Sequence, residues 1–140
     1  MTRHLARETA LQMLFQVDLG QNEAGMTELT VEEAGLAPVY SDFSRQLFRE
    51  AWQHKEELDS LVSDYCCQWE LDRLANVDRN ILRLAAYELK YQRETPAQVV
   101  INEAIELAKN FSTAESGAFI NGILDNIRKA QALVERNAEL

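Results

Sequence analysis

A chain of 140 residues, 46% hydrophobic and 26% charged, is long enough for one domain with its own core. No run of about 18 uncharged apolar residues occurs, and the N-terminus shows no signal-peptide core or small-residue cleavage site, so neither a transmembrane helix nor an exported precursor is expected and a cytoplasmic location follows. The net charge of −9 argues against a surface coated for nucleic acid, but the charge is uneven. Residues 17–72 hold thirteen acids and three bases, whereas residues 73–93 hold five bases and two acids.

The first helix is predicted from about Arg3 to Leu19, with Ala10, Leu11, Leu14, Phe15 and Val17 on its apolar face and Gly20 to end it. Gln21 to Val39 is the least regular stretch, with one short turn of helix expected from Thr30-Val31-Glu32-Glu33 to Gly35. A long helix is predicted from Ser41 to Val62, then a shorter one over Asp64 to Asp72. The next opens at Asn76 or Asp78 and runs to Tyr91. Thr95-Pro96-Ala97-Gln98 and Ser112-Thr113-Ala114-Glu115 read as capping boxes for the last two helices. No strand, repeat or low-complexity tract is evident. The expected fold is all-α, a single domain over residues 1–140 built as a compact bundle of about six or seven helices.

With the helix that opens at Asn76 or Asp78 taken from Asp78 to Arg93 at about 100° per residue, Arg79, Arg83, Lys90 and Arg93 fall on one narrow face. Such a row repels itself, and a partner carrying phosphates would relieve it. The bland alternative is a solvated face neutralised by the acids of residues 17–72. Glu88 falls opposite, in the middle of the apolar side, and needs a cation that Arg3 or Arg7 could supply. Asn102 and Glu103 read as hydrogen-bonding and packing residues. Trp52 and Trp69 read as core or rim aromatics.

Cys66 and Cys67 are adjacent and read as two partly buried thiols, too few ligands for a zinc site. There is no GxGxxG, GxxxxGK[ST], HExxH or GxSxG, so no catalytic residue, cofactor or metal is indicated and no enzyme activity is expected.

Three blocks carry a resemblance. They are ARETALQMLFQVD (Ala6 to Asp18), LANVDRNILRLAAYEL (Leu74 to Leu89) and VINEAIELAKNFSTAESGAFINGILDNI (Val100 to Ile127), about 57 of 140 residues in order and spacing. Together they resemble the NusB family of bacterial transcription antitermination proteins. The resemblance implies a non-catalytic RNA-binding adaptor. It would bind the boxA element of ribosomal RNA leader transcripts with ribosomal protein NusE, and join an elongating RNA polymerase with other Nus factors. It places Arg3, Arg7, Arg79, Arg83, Glu115, Ser116 and Phe119 at RNA, and Phe15, Asp72 and Asp78 at NusE. Arginines can take phosphates bidentately or stack on unpaired bases, and Phe119 offers either an aromatic face or a core side chain. The family's dense opening arginine run is reduced here to Arg3, His4 and Arg7, which implies weak RNA binding alone and tighter binding with NusE. Two other readings stay open: the NusB-like domain of a ribosomal RNA cytosine methyltransferase, which requires a longer gene, and a purely protein-binding helical module. Self-association into a homodimer also stays open.

Overall fold

The computed structural model describes residues 2–20, 25–66 and 74–138. Among these, seven helices and no strand occur: α1 (Thr2–Asp18), α2 (Met26–Ala34), α3 (Pro38–Gln53), α4 (Lys55–Ser63), α5 (Asn76–Tyr91), α6 (Ala97–Phe111) and α7 (Ala114–Ala138). The all-α bundle expected from the sequence is therefore the observed fold.

Helix α5 is the axis of the molecule, packed by α1, α3, α4, α6 and α7. Every residue from Asn80 to Leu89 is buried, so α5 has no outer face over that stretch. Around it, Leu11 and Leu14 of α1, Leu47 and Ala51 of α3, Leu58 and Val62 of α4, Ile101 and Leu107 of α6, and Ile120 and Ile127 of α7 close one core. Burial of such side chains, each stabilising by about 1.5–3 kcal/mol, holds helices that would be marginal alone.

Local signals set a few helix ends. Gly20, at φ 83°, closes α1 with its N–H on the Val17 carbonyl, a left-handed cap that favours glycine. The Thr113 hydroxyl accepts the Ser116 backbone N–H at 3.0 Å and caps α7, one residue later than the box expected over Ser112 to Glu115.

Several boundaries differ from expectation. Helix α2 begins four residues earlier, at Met26, and Thr30 is inside it with its hydroxyl on Gln16 and the Met26 carbonyl. The single helix expected over 41–62 is two, α3 and α4, divided at His54 (φ −96°, ψ 17°). The break lets both Leu47 of α3 and Leu58 of α4 reach the core, and the His54 ring stacks on Tyr91 with centroids 4.8 Å apart. Helix α3 starts at Pro38, where the ring suits the first turn, and Ser41 bonds back to the Leu36 carbonyl instead of capping. Neither Thr95 nor Gln98 forms the expected box; α6 starts after Pro96 without a side-chain cap, and Gln98 reaches Asn102. Residues 64–66 form a turn, and the rest of the helix expected over Asp64 to Asp72, with Cys67 and Trp69, lies outside the described residues. Cys66 is buried.

Candidate nucleic-acid and partner interface

The expected row of four cations is not one helical face, because α5 ends at Tyr91 and Arg93 lies in the turn beyond it, and the row does not face open solvent as an uncompensated patch. Each member has a carboxylate. Arg79 Nη2 meets Asp18 at 2.6 Å; Arg83 holds Asp59 through Nε at 2.7 Å and Nη2 at 2.8 Å, with Asp18 at 3.2 Å from Nη1. Lys90 pairs with Glu57 and Arg93 with Glu135. Three of these four pairings use acids of the 17–72 segment, as the bland reading supposed, but Arg83 is buried, not solvated. The periodicity argument fails because it divides a helix into two faces without telling whether both are covered. Asn80 completes the cluster, donating to Asp18 at 3.1 Å and accepting from Arg83 at 3.1 Å. Burial works against the Asp18 carboxylate, but hydrogen bonds from Arg79 and Asn80 and the nearby Arg83 charge outweigh it and hold the group below its usual range.

On the other side of α5, Glu88 has its predicted partner. Arg7 Nε donates to Oε2 at 2.9 Å and Nη2 to Oε1 at 2.9 Å, with the two residues only 3% and 2% exposed. Arg7 is thus a core brace with no free edge for phosphate. His4, one turn earlier, bridges Glu103 of α6 at 2.6 Å and Glu8 at 2.9 Å. The hydrogen bond to Glu103 raises the His4 pKa above its ordinary value of 6.5, with further help from both carboxylate charges. Asn110 donates to Glu8 at 3.4 Å, so polar ties fasten α1 to α6 along its length.

Arg3 differs from the other three arginines matched to RNA contacts. It is exposed and forms no hydrogen bond or ion pair among the described residues; its guanidinium lies over the Phe43 ring, 4.8 Å from the centroid. Phe43 is half-buried on α3, so the stack joins two helices about 40 residues apart in sequence.

Four other matched residues come together. Asp78, Glu115, Ser116 and Phe119 line one hollow of about 380 Å³ with Leu74, Ala75 and Thr113, where the N-termini of α5 and α7 meet. Ser116 Oγ donates to Asp78 Oδ2 at 2.8 Å, while the buried Asp78 Oδ1 has no partner among the described residues. A buried acceptor without a donor is costly, and a ligand or partner donor would satisfy it. Phe119 is half-buried: it packs on the core and also lines the hollow, so the core and surface readings both hold in part. Phe15 is half-buried on α1, and Asp72 lies outside the described residues. No group of three or more His, Cys, Asp or Glu side chains suited to a metal occurs among the described residues, and no described helix is long and apolar enough to cross a membrane.

Known proteins match this architecture. The family model described as NusB family covers residues 4–129. The transcription antitermination protein NusB of Desulforamulus reducens is 48% identical over 128 residues, spanning 91% of this chain and 90% of the relative. Among solved structures, NusB of T. maritima superposes with a TM-score of 0.81 at 38% identity, covering 91% of this chain and 90% of its own. A crystal structure of antitermination factors NusB and NusE in complex with dsRNA superposes with a TM-score of 0.83 at 32% identity, covering 92% of this chain and 97% of that one. Alike in sequence and in backbone over nine-tenths of its length, this chain belongs to the NusB family.

Proposed function

We propose that the protein is a cytoplasmic, non-catalytic antitermination factor that binds boxA-type single-stranded RNA of ribosomal RNA leaders together with ribosomal protein NusE, and acts with other Nus factors on elongating RNA polymerase. The observation that carries the reading is the likeness, over 92% of the chain, to a NusB solved with NusE and RNA. The geometry supports it in two places. Arg3 presents a cation that no described carboxylate neutralises, and the hollow at Asp78 combines an aromatic edge, two hydroxyls and two carboxylates. Hydroxyls and acids can read base edges, and an aromatic face can stack a base.

In this reading Arg3, Arg79, Glu115, Ser116 and Phe119 face RNA, while Arg7 and Arg83 brace the helices that carry them. Phe15, Asp72 and Asp78 face NusE, whose basic character would suit the acidic body. The antitermination reading is preferred to a domain of an RNA-modifying enzyme because the similar proteins are themselves named as antitermination proteins. The test is a titration of boxA RNA, with a scrambled control, in the presence and absence of NusE. Binding is expected to be weak alone and tighter with NusE; equal affinities, or equal affinity for the scrambled strand, would overturn the proposal. Sedimentation at rising concentration checks for a homodimer in the same samples.

A further inference from the structure

Where α1 crosses α3, the side chains are fixed to an unusual degree. Ser44 Oγ, fully buried, donates to the Ala6 carbonyl at 2.7 Å and sets the position of α3 against α1. The neighbouring residues, Phe43 and Arg7, meet there: the Arg7 guanidinium lies 5.6 Å from the Phe43 ring centroid, and Arg7 is itself held by Glu88. Phe43 packs against the core on its inner side. Arg3, one helical turn before Arg7, lies over the same ring at 4.8 Å. The ring is therefore a rigid platform, and Arg3 is the exposed group resting on it.

We propose that Phe43 is a positioning residue of the RNA interface, holding the Arg3 guanidinium over its ring so that N–H donors remain to meet a phosphate of the bound strand. The proposal rests on the RNA-binding reading above. The ring contact orders the side chain, and Arg3 forms no hydrogen bond among the described residues that would consume its donors, so capacity for bidentate hydrogen bonding remains. An exposed arginine otherwise loses much rotamer freedom on binding, and a preordered one loses less. In a chain with so few N-terminal arginines, the ordering of this one matters more than it would in a dense basic run.

The test measures boxA RNA affinity of the NusE complex for the parent, Arg3→Ala, Phe43→Leu, Phe43→Tyr and the double variant Arg3→Ala/Phe43→Leu. Arg3→Ala should weaken binding and flatten the log–log salt slope by about 0.7, the loss of one phosphate contact on a single strand. Phe43→Leu fills most of the packing space but removes the π face; it should weaken binding about two- to five-fold, the range of an exposed cation–π contact, with the salt slope unchanged. Phe43→Tyr should bind like the parent, and the double variant like Arg3→Ala alone. Parent-like binding by Phe43→Leu, or a loss that adds to that of Arg3→Ala, overturns the positioning role while leaving RNA binding intact. Parent-like binding by Arg3→Ala overturns it as well. Failure of the parent complex to bind boxA removes the functional reading and this inference together.

Discussion

Arg7 of α1 and Glu88 of α5 form a two-point ion pair across 81 positions of sequence, both residues almost wholly shielded from water. Glu103 lies 3.9 Å from Arg7 Nη1, but Arg7 and Glu88 form the closer pair. Removing one leaves the other stranded in a poorly polarisable interior. Arg7→Ala or Glu88→Ala should each destabilise the fold by about 3–5 kcal/mol in urea unfolding, whereas an apolar pair such as Arg7→Met/Glu88→Leu should restore most of it. Equal loss in single and double variants would show that the pair is not coupled.

The Arg83 cluster gives a second stability prediction. Arg83 serves both Asp59 and Asp18, and its pKa is raised because these pairings outweigh the burial that opposes its charge. Arg83→Ala should cost about 1–3 kcal/mol, less than loss of Arg7, because only the part-exposed Asp59 loses its two-point partner while Asp18 keeps Arg79 and Asn80. Lys90→Ala, on the same helical stripe, should leave the unfolding midpoint essentially unchanged, because its pairing with Glu57 is at the surface. RNA affinity of Arg83→Ala should be compared only at temperatures where the variant is folded.

Two titrating groups predict opposite pH limits. The folded-state pKa of His4 lies above 6.5 through its hydrogen bond to Glu103. Its contribution is complete below 6.5, where the unfolded chain is protonated as well, and is lost as pH rises through the folded value. Asp18 lies below 3.8, so its contribution is complete above that value and is lost as pH falls through the folded one. Stability of the parent measured across pH 5 to 9 should therefore decline on the alkaline side of neutrality more than that of His4→Gln. Identical profiles would remove the His4 bridge from the account.

In the hollow between α5 and α7, Asp78 accepts a hydrogen bond from Ser116 on one oxygen and nothing on the other among the described residues. Ser116→Ala removes the one side-chain donor that Asp78 has among the described residues and should cost about 1–3 kcal/mol. NusE or RNA binding, if it supplies the missing donor, should raise the melting temperature of the parent more than that of Asp78→Ala. Equal stabilisation of the two would place the bound donor elsewhere.

Local chemistry in the sequence determined the helices and their class. Apolar residues at helical spacing, Gly20 at the end of α1 and Thr113 at the start of α7 act within a few residues, so they are legible in one dimension. The need of Glu88 for a cation was equally legible, since a carboxylate on an apolar face cannot stay unpaired. The family likeness, read from three blocks of residues, was legible too. What only tertiary structure decided was which charges remain available. Helical periodicity placed Arg79, Arg83, Lys90 and Arg93 on one face, but α4 and the end of α1 bring Asp59, Glu57 and Asp18 against the first three, burying Arg83 and leaving Arg79 part-exposed. The split of α3 from α4 at His54, the burial of α5 on every side, and the ring of Phe43 beneath Arg3 have the same origin. Each depends on contacts between residues tens of positions apart, and the geometry of packing, not any local preference, sets them.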